Sequence, residues 1–286
     1  MISEFLESWP LFQTTYLTGW AIAFTLSLVG VWVVARDQIF LGVAVAQAST
    51  LGIAAALWLG ELAAASALGW LRTEAVAAAL AVAASIATAL LSARSGGSRG
   101  ESAEAITGWI FLLAASVPVL LLAKSPHGLE EVHQLLFSTI LGAAPADPWI
   151  FGALGALTAG LAATFRERLL LFAMDAEMAM AVGMRRGLWS VALAIWLGLA
   201  VGLSIRVSGT LYSFGCLVLP ALCAKHWVRE MRPLLLLAPA IGVGAAVLGF
   251  VLAHGLDTPP AHTTVSLLCV ALPISWLRSR LRGRQP

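Results

Sequence analysis

The sequence is poor in charge: only 11% of its 286 residues are Asp, Glu, Lys or Arg, whereas 60% are hydrophobic. Soluble domains are typically about 25% charged and about 45–50% apolar. A chain this apolar cannot form one water-facing globule, so the composition indicates an integral membrane protein. The net charge of +2 without a basic stripe also argues against a nucleic-acid surface.

Cysteines and motifs for energy conversion are equally scarce. The three cysteines (Cys216, Cys223 and Cys269) lie inside apolar runs, which excludes a disulfide framework and a CxxC pair. Neither of the two lysines, Lys124 and Lys225, follows a glycine, so the sequence has no P-loop to hold ATP phosphates. An HExxH motif is also missing, which disfavours a zinc metalloprotease.

Nine stretches are long and apolar enough to cross a bilayer, which requires about 20 helical residues. They lie near residues 16–34, 39–59, 75–91, 106–123, 149–165, 188–205, 210–223, 234–253 and 263–277. The seventh is short and contains Gly215 and Pro220, so we expect a broken or partly re-entrant span there. The sequence therefore predicts an all-α polytopic helical bundle, organised as a single transmembrane domain over residues 1–286.

The basic residues are distributed unequally between the two sides of this bundle. All but three of the 17 Lys and Arg residues fall in loops that nine spans place on one side; the exceptions are Arg72, Lys124 and Arg206. Because cytoplasmic loops are enriched in Lys and Arg, we expect the N-terminus outside and the C-terminus in the cytoplasm. This distribution predicts a multi-pass protein of the inner (plasma) membrane, surrounded by lipid.

Acidic residues are missing from the predicted spans, since every Asp and Glu maps to a loop or a span end. Carriers coupled to protons or sodium usually need a buried carboxylate. A self-sufficient secondary transporter or channel is therefore disfavoured, although it stays an alternative. A many-span protein without energy-converting residues indicates that the energy comes from a partner.

Small residues recur every fourth position in the fifth span, at Gly152, Ala156 and Gly160. Such a row lets membrane helices approach closely. We interpret it as packing within the chain, with a dimer seam as the alternative.

The longest charged cytoplasmic loop, about residues 166–187, has methionines at helical spacing between charged ends. Met174, Met178 and Ala181 fall on one helical face, and Asp175 and Gly183 are suited to start and end a short helix. Such a helix could dock into a groove of a soluble partner through its adaptable methionines. Packing beneath its own bundle explains the pattern equally well.

Five motifs follow one another in order along the chain. They are residues 36–49, residues 136–142, Asp175-x-Glu177-x-Ala179-x-x-x-Gly183, Val207-Ser208-Gly209-Thr210-Leu211 with Leu219-Pro220-Ala221-x-x-Ala224, and residues 255–260 with 263–265. Together they resemble the motifs of the zinc/manganese-type ABC transporter permease family. The resemblance extends over roughly residues 20–277.

The resemblance implies the permease subunit of an ATP-driven importer, with zinc or manganese as cargo. It further implies a permease homodimer, two cytoplasmic ATP-binding subunits that hydrolyse ATP, and an extracytoplasmic solute-binding protein, with no cofactor on this chain. In such a machine, the loop helix with Asp175, Glu177, Ala179 and Gly183 couples the ATPase to alternating access.

The second span departs from that family. Members that coordinate a divalent cation carry an Asp and a His there, four residues apart on one helical face. The matching positions are Val43 and Gln47, neither of which is a good zinc or manganese ligand. The cargo is therefore either a metal ion or a chelated metal or other small solute. Gln47, Ser49 and Thr50 are candidates for the pathway, with hydrogen bonding between helices as an equal alternative.

Arg206, at the outer end of the sixth span, is a further pathway candidate. Its charge would repel a bare dication and attract an anionic or chelated substrate. Snorkelling of the side chain to the interface is the favoured interpretation.

External histidines are weak candidates for metal ligands. His127 and His133 flank two glutamates, and His254 and His262 bracket Asp257. Neutral histidine is an apt ligand that could pass metal to the pathway. Because no compact ligand spacing joins these residues, solvated loop positions are the favoured interpretation.

Overall fold

The computed structural model describes residues 9–62, 73–94, 102–123, 142–228 and 230–281. All regular structure in these ranges is helical. The helices are α1 (Trp9–Ala35), α2 (Ile39–Leu62), α3 (Glu74–Arg94), α4 (Ala103–Leu122), α5 (Asp147–Thr164), α6 (Arg166–Met174), α7 (Ala176–Ala181), α8 (Arg186–Lys225), α9 (Met231–Leu256) and α10 (Pro260–Leu281).

Seven helices of the described ranges are long and apolar enough to cross a membrane, namely α1 to α4 and α8 to α10. α5 and α6 together meet the same criteria but bend by 80° at their junction, which raises the number to eight. The predicted all-helical membrane bundle is therefore confirmed. The predicted sixth and seventh spans both fall within α8, which is 40 residues long.

α8 is interrupted at Gly209, where φ is 72° and ψ is 171°. Essentially only glycine adopts this backbone conformation. The interruption separates the predicted sixth and seventh spans. The expected break inside the seventh span is wrong, because the helix continues through Gly215 and Pro220. A Cβ at Gly215 would lie 2.7 Å from a methyl group of Val265, so this glycine serves close packing.

The contacts divide the chain into two compact units, and the first contains Met1–Asp37, Thr139–Met178 and Leu211–Pro286. In this unit α1 packs against α5 and α9, and α9 packs against α10. A Cβ at Gly30 would overlap the carbonyl oxygen of Leu217, so α1 and the C-terminal part of α8 meet at their backbones. The Tyr212 hydroxyl also donates a hydrogen bond to the Gly19 carbonyl oxygen at 2.9 Å. α1 is therefore the central helix of this unit.

The second unit contains Gln38–Ser138 and Ala179–Thr210. In its described part, α2 packs against α3 and α4. A Cβ at Gly52 would overlap the carbonyl oxygen of Leu80, so α2 and α3 are also in backbone contact. The Ser85 hydroxyl donates a hydrogen bond to the Val45 carbonyl oxygen at 3.3 Å across the same contact. Small residues thus set the helix spacing in both units.

The row of small residues in α5 faces outward. Gly152, Ala156 and Gly160 are exposed, and no described atom lies within 4 Å of a Cβ built at either glycine. The interpretation of this row as packing within the chain is therefore wrong. α5 instead turns Gly155 to α1, where a Cβ would lie 3.0 Å from the Thr25 hydroxyl. Because α5 carries small residues on two sides, the sequence pattern alone could not identify the packed side.

Replacing Gly209 with alanine should destabilise the fold by about 1–3 kcal/mol, the usual cost of a side chain in a disfavoured backbone region. Gly187→Ala is the matched control, because Gly187 lies in the same helix and a Cβ added there would meet open space. That variant should be as stable as the wild type or slightly more stable, since alanine favours helices. Thermal denaturation of the detergent-purified proteins measures both effects. Equal stability of Gly209→Ala and the wild type would contradict the interruption of α8.

Candidate functional site

The loop between α6 and α8 begins with a capped helix, α7. Asp175 precedes the helix, and its Oδ1 accepts hydrogen bonds from the backbone N–H groups of Glu177 at 3.0 Å and Met178 at 2.9 Å. These bonds satisfy N–H groups that have no partner within the helix. The predicted helix start at Asp175 is confirmed.

The same helix ends at Gly183, where φ is 86°. The N–H of Gly183 donates to the Met180 carbonyl at 2.9 Å, and the N–H of Met184 donates to the Ala179 carbonyl at 3.0 Å. This pair of bonds is a Schellman motif, in which a left-handed glycine closes the helix end. The predicted end at Gly183 is therefore confirmed as well.

Four apolar side chains in and beside this loop helix are exposed, and we name them together the α7 surface. It consists of Met174, Met178, Met180 and Val182, and Met174 is 71% exposed. Ala179, by contrast, is completely buried. Among the predicted coupling residues, Asp175, Glu177 and Gly183 are exposed. Exposed methionines between charged residues are typical of a surface that binds another protein.

An ion cluster connects the start of α6 with the start of α9. Glu167 Oε1 accepts hydrogen bonds from Nη2 of Arg166 at 3.1 Å and from Nη2 of Arg232 at 3.0 Å. The hydrogen bonds from Arg166 and then Arg232 hold the pKa of the Glu167 carboxyl below its ordinary value. This cluster was not predictable from the sequence, because Glu167 and Arg232 are 65 positions apart.

The pathway candidates of α2 occupy two different environments. Ser49 and Thr50 are buried, and their hydroxyls donate to the carbonyls of Gly202 and Ala46, each at 3.4 Å. Gln47 is only partly buried. Val43, one helical turn earlier, is partly buried too, so positions 43 and 47 share a partly open face. Ser49 thus bonds to α8, whereas the hydrogen bond of Thr50 lies within α2 itself.

Arg206 is paired with an acidic residue. Its Nη1 lies 3.1 Å from Oε2 of Glu74, the first residue of α3, and the arginine side chain is 25% exposed. Glu74 thereby offsets the positive charge of Arg206. This pair was not predictable from the sequence, because its members are 132 positions apart.

Two of the external metal candidates, His127 and His133, lie outside the described residues. His254 belongs to the last turn of α9 and His262 to the start of α10, with Asp257 in the turn between them. Asp257 has a φ of 52° and closes α9, a left-handed conformation that Asp tolerates. Within the described ranges, no three His, Cys, Asp or Glu residues are grouped so as to hold a metal ion.

These features define a class of protein, namely a multi-span membrane protein with an exposed loop helix and no ATP-binding motif of its own. The chain belongs to the ABC 3 transport family, because the model of this family matches residues 8–278. It is the membrane permease subunit of an ABC transporter and not the ATPase. The sequence-based resemblance is thus confirmed.

Two curated relatives extend over nearly the whole chain. The chain is 26% identical to the manganese import system permease protein ScaB of Streptococcus gordonii over 270 residues, which cover 93% of this chain and 91% of that protein. It is 20% identical to the manganese transport system membrane protein MntC of Listeria monocytogenes over 280 residues, 98% of this chain and 95% of that protein.

A solved structure has the same fold. PsaBC from Streptococcus pneumoniae, determined in complex with Fab, superposes with a TM-score of 0.77 at 21% identity, covering 96% of this chain and 95% of that one.

The ion cluster at Glu167 should make stability depend on acid pH. Because the pKa of this carboxyl is lowered in the folded protein, its stabilising effect is fully present above the ordinary value of 4.5 and is lost as the pH falls through the lowered pKa. Glu167→Gln should therefore lower the melting temperature slightly at pH 7, and the difference from the wild type should vanish in acid. Thermal denaturation across this pH range measures it.

The control for this experiment is Glu177→Gln, which removes an exposed carboxylate that has no ion pair within the described residues. Its difference from the wild type should not change with pH in the same way. Identical pH profiles for the two variants would contradict the stabilising role of the cluster.

Proposed function

We propose that this chain forms the membrane pathway of an ATP-driven metal importer, with manganese as the first cargo to test. The observation that carries the proposal is the family match over residues 8–278. Relatives matched over at least nine-tenths of their own length include a manganese import system permease protein and a manganese transport system membrane protein. ATP hydrolysis then belongs to a separate cytoplasmic subunit, and an extracytoplasmic solute-binding protein delivers the cargo.

A chelated metal or another small solute is the second candidate cargo. It is favoured by Val43 and Gln47, since a valine cannot bind metal and an amide oxygen is a weak ligand. The pairing of Arg206 with Glu74 makes a bare dication more acceptable than the sequence alone indicated. The two cargoes therefore remain competing proposals that transport measurements can separate.

We propose nine spans with the N-terminus outside, as the distribution of Lys and Arg indicates. α8 has 40 residues and, at about 1.5 Å per residue, is about twice as long as the hydrocarbon core is thick, about 30 Å. Glu167, before α8, pairs with Arg232, after it, so the segments that precede and follow α8 meet on the same side of the first unit. Lys225, at the end of α8, also lies 4.0 Å from Asp37, which follows α1. We therefore infer two crossings within α8, turning at Gly209, in a single permease domain.

The α7 surface is the proposed docking site of the ATPase subunit. Both ends of α7 are fixed by hydrogen bonds, so a push against it would be transmitted to α6 and α8 rather than absorbed. In the proposed cycle, ATP binding closes the partner dimer and moves α7, and the spans then alternate between outward and inward access. Asp175, Glu177, Ala179 and Gly183 act in this coupling.

A permease homodimer completes the proposed assembly. The exposed small residues of α5 (Gly152, Ala156 and Gly160) offer a surface on which a second helix could approach closely.

Gly183→Pro and Asp175→Lys should abolish ATP-driven uptake while membrane insertion stays normal. Proline cannot adopt the positive φ of position 183 and lacks the N–H that closes the helix. Lysine removes the cap and places a positive charge at the N-terminus of a helix, where it is unfavourable. Uptake by proteoliposomes containing the permease and its ATPase measures the effect, with Gly187→Ala as the control. Wild-type uptake by both variants would exclude α7 from coupling.

Manganese uptake should require the ATPase subunit and ATP. Proteoliposomes with the permease alone should show no flux, and addition of the partner should start it. If no transition metal gives ATP-dependent uptake, the chelated or organic cargo is favoured. Flux of manganese through the permease alone would contradict the importer proposal.

Gln47→Leu should slow the same uptake, because it removes the polar group from the partly open face of α2. Ser116→Leu is the matched control, since Ser116 is exposed on α4 and, within the described residues, its hydroxyl donates only to the carbonyls of Leu112 and Leu113 in its own helix. Equal rates for the two variants would assign Gln47 to packing.

A further inference from the structure

A cleft of about 440 Å³ opens on the first unit between α1, α5 and α9. Its walls are apolar: Phe24 and Leu28 come from α1, three alanines from α5, and an aliphatic row ending at Val243 from α9. The alanines leave the space that larger side chains would fill. Leu236, on the outer edge, is strongly exposed, so the cleft opens sideways towards the region that lipid occupies.

The cleft has the depth of one membrane leaflet. On α9, its lining runs from Arg232 to Val243, 11 residues or about 16 Å at the rise of an α-helix. On α1, the lining reaches Phe24, which is also 11 residues from the end of that helix at Ala35. Half of a hydrocarbon core about 30 Å thick is about 15 Å. An acyl chain that begins at the helix ends would therefore extend along the whole cleft.

The mouth of the cleft carries two arginines, Arg166 and Arg232. Both donate to a single carboxylate oxygen, Oε1 of Glu167, so one positive charge is left in excess. Arg166 uses its Nε and one Nη2 hydrogen for this purpose, and Arg232 uses Nη2. A guanidinium has five N–H donors, and these side chains are 45% and 60% exposed. The remaining donors can bind an anionic group.

The arginines lie at the ends of the apolar walls because of the local helix geometry. Arg166 begins α6, which bends away from α5 by 80°, and Arg232 is the second residue of α9. Neither helix start has a side-chain cap: Phe165 precedes α6 and Glu230 precedes α9 without making one. The uncapped N–H groups add positive potential at the mouth.

We propose that this cleft binds an anionic phospholipid, with its phosphate on Arg166 and Arg232 and one acyl chain along the α1–α5–α9 walls. Arginine forms paired, charge-assisted hydrogen bonds with phosphate. Basic pockets between membrane helices are known to bind anionic headgroups. Glu167 holds the two guanidiniums at one point and so positions them for a single headgroup.

The test is lipid retention by the permease purified with its ATPase partner. The complex is titrated with phosphatidylglycerol or phosphatidylcholine of identical chains, and bound lipid is counted by native mass spectrometry. The wild type should retain phosphatidylglycerol in preference to phosphatidylcholine. The double variant Arg166→Gln/Arg232→Gln should lose about tenfold in phosphatidylglycerol affinity, the order of magnitude expected for hydrogen bonds to a charged group. Arg168→Gln, which alters an arginine outside the cleft, should bind like the wild type.

A second pair of variants tests the acyl-chain site. Ala163→Phe fills the cleft and should reduce binding of both lipids, whereas Ala153→Phe, exposed on another side of α5, should not. Normal assembly with the ATPase shows that a variant is folded. Equal retention of the two lipids by the wild type would overturn the proposal, as would unchanged phosphatidylglycerol binding in the double variant.

Two further outcomes identify other occupants. Displacement of phosphatidylglycerol by inorganic phosphate would show a headgroup site without an acyl chain, which contradicts the proposal. If Ala163→Phe leaves lipid binding unchanged but yields complexes with a single permease, a second copy of the chain covers the cleft. That outcome also contradicts the proposal.

Discussion

Every peptide N–H and C=O group in the bilayer core needs a partner within the protein, because no water is available there. In the described part of this chain, all regular structure is helical, and many side-chain hydroxyls also donate hydrogen bonds to backbone carbonyls. Thr25 donates to the Ala21 carbonyl and Thr158 to the Leu154 carbonyl, each one turn back along its own helix. Threonine hydroxyls can therefore be placed in the spans with a hydrogen-bond partner in their own helix. Contacts between helices then depend on how closely the backbones approach.

That dependence explains the role of the smallest residues. Gly30 brings α1 against the carbonyl of Leu217, and Gly52 brings α2 against that of Leu80. Glu167 and Arg232 pair at the starts of two helices, whereas Arg206, which meets Glu74, lies within α8 shortly before its interruption at Gly209. The interior of each unit consists mainly of packed apolar and small residues.

Much of this architecture was predictable from residues near each other in sequence. The length of the apolar stretches predicted the helices. Asp175 and Gly183 predicted both ends of α7, because caps depend on local hydrogen bonds. The ion pairs of Arg206 and Arg232 were not predictable, since their partners are 132 and 65 positions away. The packed side of α5 could not be chosen either, as small residues occur on two of its sides. At Gly209, the sequence predicted the boundary between two spans, and the backbone angles show this boundary as an interruption within one long helix.

The closed ends of α7 bear on how readily another protein can associate with this loop. A segment that folds only on contact loses conformational entropy at that moment, which weakens binding. Here six residues are already held by the Asp175 carboxylate at one end and by the Gly183 turn at the other. The exposed methionines can still change rotamer on a preorganised backbone. The helix thus combines a rigid backbone with adaptable side chains. A docked subunit could therefore move or exchange its nucleotide without the loop having to refold in each cycle.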